Sequence, residues 1–276
     1  GGGEAVAVLA AAAVDTATIL LGTSIVQTWS RHPVALAQQA QVVANLAPGR
    51  FRLGIGPSHK ASMESVFGAD FRAPLGHLSE YIDIIKPLIQ QASVEYEGRW
   101  YSANANISGP MDVPVMTSAL RPRAFEFAGS KSDGVISWVC PHFYLRDIAM
   151  PALQEGARKA GRDTKPMEVH APLCVTEDVE AAREGVRRRL GYFPSSPFYA
   201  NMFLEAGFAP SPDNGWTDEM LDAVLISGDE DTVAARIQEI FDWGGAEILA
   251  SVVPAGDEGS ASERRSLELL GKLSTA

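Results

Sequence analysis

The sequence predicts an α/β fold in which parallel strands alternate with helices. Apolar runs rich in β-branched residues alternate along the chain with segments that carry apolar residues at helical spacing. These runs are almost continuously apolar, as expected of strands that are covered on both faces. The length of 276 residues suits one α/β barrel domain. We therefore expect residues 1–276 to form a single domain with its ligand site at the carboxyl ends of the strands.

Six strands are predicted, each an apolar run bounded by turn residues or by a helical segment. They cover residues 18–26, 50–56, 113–119, 134–139, 168–176 and 246–253. A closed barrel of this class needs eight strands. Either the sheet is open and doubly wound, or a leading β-α-β segment is absent from the given chain.

The helices between these strands follow from residue preferences and from spacing. An Ala-rich opening segment favours a helix, because alanine has the highest helix propensity. Later segments carry apolar residues on one helix face and predict helices over 33–46, 77–91, 122–130, 144–160, 178–190, 230–242 and about 260–272. Pro33 suits the first turn of its helix, which Pro48 and Gly49 bring to an end.

Two segments interrupt the alternation of strands and helices. Within residues 93–104 the pattern alternates on both sides of Glu97 and Gly98, which predicts a small β-hairpin insertion. Residues 191–216 are rich in proline and aromatic residues, and we interpret them as a lid-like insertion with short helices. The hairpin is expected at the rim of the barrel.

The composition excludes several classes of partner. A formal net charge of −11 with scattered basic residues argues against nucleic acid. The two cysteines, Cys140 and Cys174, are too few for a disulfide scaffold and fit a reducing, cytoplasmic compartment. Residues 5–14 are apolar but too few to span a bilayer. Because the Cys and His residues also lack metal-ligand spacing, we expect a cytoplasmic protein whose partner is a small molecule.

Small and polar residues follow several predicted strands, at the edge where parallel α/β folds bind ligands. They are Ser24 and Ile25; Gly56, Pro57, Ser58 and His59; Ser118, Ala119, Leu120 and Arg121; and Val139 to His142. The turn TSALRPR places backbone N–H groups, a serine hydroxyl and Arg121 at the start of a helix. Such a turn can bind a phosphate, or it can serve only as a helix cap.

Histidine and tryptophan side chains add candidates for proton transfer and for stacking. His59 lies in a Ser-His-Lys loop and is either a proton shuttle or an ordinary surface histidine. His170 lies within a predicted strand, so we interpret it as structural. Trp29, Trp100 and Trp138 can stack on a planar ring or pack within the protein.

Blocks of sequence around these strand ends follow the pattern of a known family. ILLGTSIV is followed by RHPVALAQQAQVVANLAPGRFRLGIGPSH, and the later blocks are SMESVFGADFRAPLGHLSEYIDIIKPLI, VPVMTSALRPRAFEFAGSKSDGVISWV and ISGDEDTVAARIQEI. In this order they resemble the luciferase-like monooxygenase superfamily, specifically its members that use the deazaflavin coenzyme F420. The resemblance implies a single (β/α)8 TIM-type barrel domain of the luciferase-like kind, with the leading β-α-β segment absent from the given chain.

The resemblance also implies a cofactor site at the strand ends. Ser24 and Ile25 match a pair that forms a non-prolyl cis peptide behind the ring system in relatives that bind F420. Residues 56–59 match the loop beside the reactive face of the ring, and residues 118–121 match the turn that binds the cofactor's phosphate or side chain. Residues 139–140 match a neighbouring wall of the cofactor site.

The implied activity is that of an F420-dependent oxidoreductase, which transfers a hydride between the deazaflavin and a small, largely apolar organic substrate. His59 is the proposed proton donor, and relatives commonly form homodimers. Relatives often carry glycines in place of Leu120 and Arg121, so we expect this turn to contact the cofactor's phosphate differently. Pro141 replaces a basic residue of the relatives that oxidise sugar phosphates, which argues against such a substrate. An FMN-dependent monooxygenase and a non-catalytic flavin- or F420-binding protein remain alternatives, because fold alone does not determine function.

Overall fold

Two compact units can be distinguished in the chain. The computed structural model describes residues 3–211, 213, 215–256 and 259–274. Unit 1 comprises Gly1–Ala119, Glu126–Ile136 and Gly156–Lys165, and unit 2 comprises Leu120–Phe125, Ser137–Glu155 and Pro166–Ala276. Each unit contains parallel strands and helices.

Unit 1 is built on a parallel sheet with an antiparallel hairpin beside it. Its strands are β1 (Leu21–Gly22), β2 (Val26–Gln27), β3 (Phe51–Gly56), β4 (Ser93–Glu97), β5 (Ser102–Asn106), β6 (Val115–Ser118) and β7 (Gly134–Ile136). Strand β3 pairs in parallel with β1, β2 and β6, and β6 pairs in parallel with β7. Strands β4 and β5 pair antiparallel, which confirms the hairpin predicted within 93–104.

The helices that lie wholly in unit 1 are α1 (Ala5–Asp15), α2 (Pro33–Leu46), α3 (Lys60–Phe67) and α4 (Pro74–Gln91). The first two begin at side chains that cap their first N–H groups. The Glu4 carboxylate accepts hydrogen bonds from the N–H groups of Val6 and Ala7 at the start of α1. His32 Nδ1 accepts from the N–H of Val34, while Pro33 occupies the first turn of α2 as predicted. Both arrangements pair donors that a helix start leaves open.

Helix α3 lies between β3 and the helix predicted over 77–91, in a segment for which the sequence predicted no helix. Of its eight residues only Met63 is buried, so the segment has no apolar periodicity to reveal it. Gly68 ends the helix in the left-handed conformation with φ of 64°. Because the helix has one buried residue and ends at a glycine C-cap, sequence spacing could not predict it.

The core of unit 1 lies where α2 and α4 pack against each other and against the sheet. Its fully buried members include Leu36, Ala40, Val43, Leu53, Ile55, Leu78, Tyr81, Ile84, Ile85 and Leu88. Burying a leucine or isoleucine side chain contributes roughly 1.5–3 kcal/mol. The members of this core that lie in α2 and α4 recur at helical spacing, and that spacing predicted both helices.

One predicted strand, over 18–26, is two short strands in the structure. The chain bends between β1 and β2, and the Thr23 hydroxyl pairs there with the backbone of Gly54 in β3. Thr23 Oγ1 accepts from the Gly54 N–H at 2.9 Å and donates to the Gly54 carbonyl at 2.8 Å. The hydroxyl thus replaces backbone pairing that the bend interrupts.

Unit 2 contains three parallel strands and most of the remaining helices. The strands are β8 (Met167–Val175), β9 (Ile226–Gly228) and β10 (Glu247–Val252), and β8 pairs in parallel with both β9 and β10. The helices that follow α4 are α5 (Pro122–Lys131), α6 (His142–Tyr144), α7 (Met150–Lys159), α8 (Val179–Leu190), α9 (Pro197–Glu205), α10 (Asp218–Val224), α11 (Glu230–Asp242) and α12 (Gly259–Leu273). The division between the units falls within α5 and α7.

Strand β8 is buried along all nine of its residues, which matches its largely apolar sequence and includes the polar residues Glu168 and His170. Strand β9 and helix α10 were not predicted, because three and seven residues are too short to show a period. The helix predicted over 144–160 begins two residues earlier and contains a π-helical turn, Leu145–Ala149. Helix α9 is the short helix expected within 191–216, of which positions 212 and 214 lie outside the described residues.

Parallel pairing in both units confirms the predicted α/β class. Among the described residues, we find no helix with both the length and the apolar character needed to cross a membrane.

We expect Gly54→Ala to destabilise the protein, because a Cβ atom at Gly54 would lie 2.0 Å from the Thr23 carbonyl oxygen. Overpacking of this kind costs about 1–3 kcal/mol of unfolding free energy, which urea denaturation measures. Gly271→Ala is the matched control, since a Cβ there meets nothing within 4 Å. It is expected to be neutral or stabilising by up to about 1 kcal/mol. Equal stability of the two variants would contradict the close approach.

Candidate functional site

The strand ends of unit 1 carry the first group of predicted site residues. The peptide bond between Ser24 and Ile25 is cis, which confirms the geometry implied by the resemblance. Ser24 is exposed and Ile25 is half-buried. The bend that contains them is held by Thr23 on one side, and on the other side the Thr28 N–H donates to the Gly56 carbonyl at 3.0 Å.

Gly56 and Ser118 lie against each other at the ends of β3 and β6. A Cβ atom on Gly56 would lie 2.1 Å from Ser118 Oγ and 3.2 Å from the side chain of Ile25. Only glycine leaves room for the hydroxyl and the isoleucine at this point. Ser118 is only half-buried, so part of its side chain remains accessible to a ligand.

The loop after β3 places His59 at the start of α3. Pro57, Ser58 and His59 are all half-buried, and Ser58 has φ of 61° in the left-handed region. His59 occupies the N-cap position without capping the helix through its side chain. Burial lowers the pKa of His59 below its ordinary value. The imidazole is therefore neutral near pH 7, where it can accept a proton.

The turn predicted to bind phosphate has fewer open donors than the sequence suggested. The Ala119 N–H already donates to the Ile136 carbonyl at 3.0 Å, and Ala119 is buried. In unit 2 the Leu120 carbonyl accepts from the Tyr144 hydroxyl at 3.2 Å. These backbone groups fix the turn in place, but they are not offered to a ligand.

Arg121 forms an ion pair with Glu205, the last residue of α9. Arg121 Nε donates to Glu205 Oε1 at 2.9 Å, and this hydrogen bond raises the pKa of Arg121. Both side chains are partly exposed, so a phosphate could reach the guanidinium by displacing Glu205. The sequence held no signal for this partner, which lies 84 residues further along the chain.

Val139 and Cys140 are fully buried in unit 2. Burial raises the pKa of the Cys140 thiol to about 12, so the group remains protonated. Cys174 is also a buried free thiol. The two predicted wall residues therefore support the turn after β7 from within, and their contact with a cofactor stays a prediction.

His170 holds that turn through its imidazole. The Val139 N–H donates to His170 Nδ1 at 3.1 Å, and the Trp138 ring stacks on the imidazole with ring centroids 3.8 Å apart. His170 Nε2 lies 2.8 Å from Ser251 Oγ. The interpretation of His170 as structural missed these contacts, because they join residues that are distant in sequence.

An aromatic cluster in unit 1 surrounds His77. Trp29 stacks on His77 with ring centroids 3.6 Å apart, and the Tyr101 hydroxyl lies 2.7 Å from His77 Nε2. Trp29 and Trp100 therefore pack on a histidine of the protein, and Trp138 does the same on His170. Burial lowers the pKa of His77 to about 4.

A cavity of about 500 Å³ lies in unit 2. Its lining includes His142, Phe143, Arg146, Asp222, Arg236 and Trp243. His142 Nε2 is buried without a hydrogen-bond partner among the described residues, and the Arg236 guanidinium donates to the Asp222 carbonyl at 3.3 Å. Because the lining carries charges of both signs, it indicates no single ligand charge. Across the described ranges, no group of three or more His, Cys, Asp or Glu residues could hold a metal ion.

Comparison with known sequences identifies related proteins along most of the chain. A profile described as luciferase-like monooxygenase matches residues 1–247. The chain is 30% identical over 278 residues to the F420-dependent glucose-6-phosphate dehydrogenase of Beutenbergia cavernae. That alignment covers 96% of this chain and 81% of the relative.

Comparison with solved structures confirms the predicted luciferase-like α/β fold. An F420-dependent secondary alcohol dehydrogenase in complex with an F420-acetone adduct matches with a TM-score of 0.78 at 20% identity, over 98% of this chain and 84% of the other. The oxygenating constituent of 3,6-diketocamphane monooxygenase from Pseudomonas putida, in complex with FMN, matches with a TM-score of 0.70 at 20% identity, over 98% and 82%. At these identities the likeness shows the fold alone.

We expect His77 to make the protein sensitive to acid. Its pKa is about 4 in the folded chain and about 6.5 when unfolded, so the unfolded state binds a proton more readily as the pH falls. The stability that depends on neutral His77 is present above pH 6.5 and is lost as the pH falls toward 4. One such histidine contributes up to about 1.4 kcal/mol per pH unit to that loss.

Urea denaturation of His77→Gln between pH 7 and pH 4 should show a smaller decline in unfolding free energy. Tyr101→Phe is the control, because it removes the hydroxyl contact and keeps the buried imidazole. An unchanged decline in His77→Gln would show that His77 is not the sensitive group.

Proposed function

Because the chain belongs to the luciferase-like monooxygenase family, we propose that it is an F420-dependent oxidoreductase acting on a small, largely apolar organic substrate. The observation that carries this proposal is the 30% identity, along 96% of the chain, to a dehydrogenase that depends on F420. When bound, the deazaflavin would supply a ring carbon that gives or takes a hydride, and the protein would supply binding, orientation and exclusion of water.

Unit 1 contains residues that fit a ligand with a ring and polar substituents. The hydroxyl of the half-buried Ser118 lies beside the bare backbone of Gly56, which also faces the side chain of Ile25. A polar group that converges with apolar surface is typical of small-molecule sites. We infer that Ser118 donates to or accepts from the cofactor, while the segments 24–25 and 56–58 support it.

In unit 2, Arg121 is the residue that we propose for an anionic part of the ligand. Its guanidinium can bind a phosphate through two parallel hydrogen bonds, whereas toward Glu205 both Nε and Nη2 donate to the one oxygen Oε1. An anionic phosphate group would compete with the Glu205 carboxylate for the guanidinium. The proposed exchange therefore frees Glu205 when the ligand binds. Leu120, Val139 and Cys140 would shape this region without charged contacts.

His59 is the residue that we propose for proton transfer. Removing a hydride from an alcohol carbon leaves a proton on the oxygen, and a neutral imidazole can accept it. Burial keeps His59 neutral by lowering its pKa. In the reverse direction the same group, once protonated, would return the proton to a carbonyl oxygen.

An FMN-dependent monooxygenase is the second candidate, favoured by the structural likeness to a monooxygenase in complex with FMN. That likeness concerns the fold, whereas the likeness to the F420-dependent relative is also one of sequence. A binding protein without catalytic activity is the third.

Titration of the purified protein with F420 and with FMN separates these candidates. We expect F420 to bind more tightly, as followed by the change in deazaflavin fluorescence, and the bound cofactor to exchange hydride with a panel of alcohols and ketones. Tighter binding of FMN together with oxygen consumption would support the monooxygenase instead. F420 binding without turnover of any substrate would support a binding protein.

Ser118→Ala is expected to weaken F420 binding by about tenfold, because one hydrogen bond to a ligand contributes about 0.5–1.5 kcal/mol or more when its partner is charged. Ser274→Ala makes the same replacement at an exposed position and serves as the control. Fluorescence titration measures both. Equal F420 affinity of the two variants would show that Ser118 does not contact the cofactor.

Glu205→Gln is expected to tighten F420 binding, because the ligand no longer displaces a carboxylate from Arg121. Arg121→Gln should weaken binding by about tenfold or more. Weaker binding in Glu205→Gln would mean that Glu205, and not Arg121, serves the ligand.

A further inference from the structure

The turn after β7 has a backbone conformation that its sequence does not favour. Val139 has φ of 52°, in the left-handed region that a β-branched residue rarely adopts. The residue is fully buried, so water cannot satisfy its N–H group. A specific partner must hold the conformation in place.

His170 supplies that partner from the middle of β8. The imidazole is completely buried, and its Nδ1 accepts the Val139 N–H at 3.1 Å. Because Nδ1 is an acceptor, the proton of the neutral ring must lie on Nε2. Nε2 is 2.8 Å from Ser251 Oγ in β10, so in this tautomer the Nε2–H donates a hydrogen bond to the serine hydroxyl.

The residues before Val139 are attached to the same strand. The Ser137 N–H donates to the Glu168 carbonyl at 2.9 Å, and the His170 N–H donates to Ser137 Oγ at 3.1 Å. Trp138 covers the imidazole, with an angle of 19° between the two rings. His170 thus contacts three consecutive residues of the turn, one through its backbone, one through its ring face and one through Nδ1.

The imidazole stays neutral at neutral and mildly acidic pH. Burial and, to a smaller extent, the neighbouring His142 lower the pKa of His170 to about 3. The acceptor on Nδ1 is therefore present throughout that range.

We propose that His170 is a positioning residue that holds Val139 in the left-handed conformation and so sets the turn that carries Val139 and Cys140. The hydrogen bond to Nδ1 is the required feature, and Ser251 pairs the proton that this tautomer carries on Nε2. The further statement that this turn shapes the cofactor site rests on the proposed function.

Two replacements of His170 separate the effect of its hydrogen bond on stability from the effect of its ring volume. His170→Asn keeps an acceptor near the position of Nδ1, whereas His170→Gln moves its amide to the position of Nε2. We expect Asn to retain most of the stability and Gln to lower the equilibrium constant for folding by at least about tenfold relative to Asn. If Gln is equal to or more stable than Asn, the proposal fails.

The same pair in a Val139→Gly background tests whether the bond serves the left-handed residue. Glycine adopts that conformation without a partner, so the difference between Asn and Gln should shrink. A purely space-filling role of His170 would leave the difference unchanged in both backgrounds, and that result would overturn the proposal.

Nitrogen-15 NMR of the wild-type imidazole gives a readout that needs no variant to fold. We expect an unprotonated Nδ1 and a protonated Nε2 that persist from pH 8 to pH 5. A protonated Nδ1 would exclude the hydrogen bond from Val139 and end the proposal.

Titration with F420 then tests the link to the cofactor site. Wild type and His170→Asn should bind alike, and His170→Gln should bind about tenfold more weakly. Equal F420 affinity of all three proteins would show that the turn does not shape the cofactor site. Absence of F420 binding in wild type would count against the proposed function alone, because the NMR and stability measurements still decide the role of His170.

Discussion

Buried backbone groups must be paired even where a strand breaks, and this constraint shapes both units. In unit 1 the chain bends between β1 and β2, and the hydroxyl of Thr23 bonds both the N–H and the carbonyl of Gly54. In unit 2 the imidazole of His170 takes the N–H of Val139 after β7 ends. In each case a side chain replaces a backbone partner, so an irregular turn can lie at a strand end without an unpaired polar group. The surfaces that we assign to a ligand lie at the two turns that these side-chain hydrogen bonds hold in place.

Much of the fold could be predicted because it follows from periodicity. Helix α11 has the bounds that the sequence predicts, and β8 is buried along its whole length, as its largely apolar sequence predicts. Helix α3 and strand β9 could not be predicted, since one has a single buried residue and the other has only three residues. Such elements depend on contacts made by the rest of the chain, which sequence spacing does not record.

Only part of the candidate site could be predicted from the sequence. Positions such as Ser118 and His59 could be proposed because ligands of parallel α/β folds bind at strand ends. The hydrogen-bond partners within the site could not, because Arg121 and Glu205 are separated by 84 residues, and Val139 and His170 by 31. The ion pair of Arg121 means that an anionic ligand must displace Glu205 to bind the guanidinium. The tautomer of His170 likewise follows from the N–H of Val139, which no motif in the sequence pairs with this histidine.

The burial of both cysteines has a practical consequence for labelling. Cys140 and Cys174 are enclosed, and burial raises the pKa of each thiol, so neither offers a thiolate to an alkylating reagent. A cysteine introduced at an exposed position, such as Val8 on α1, would react with a maleimide while the native pair stays silent. Fluorophores or spin labels can therefore be attached at chosen points without first removing the native sulfhydryl groups.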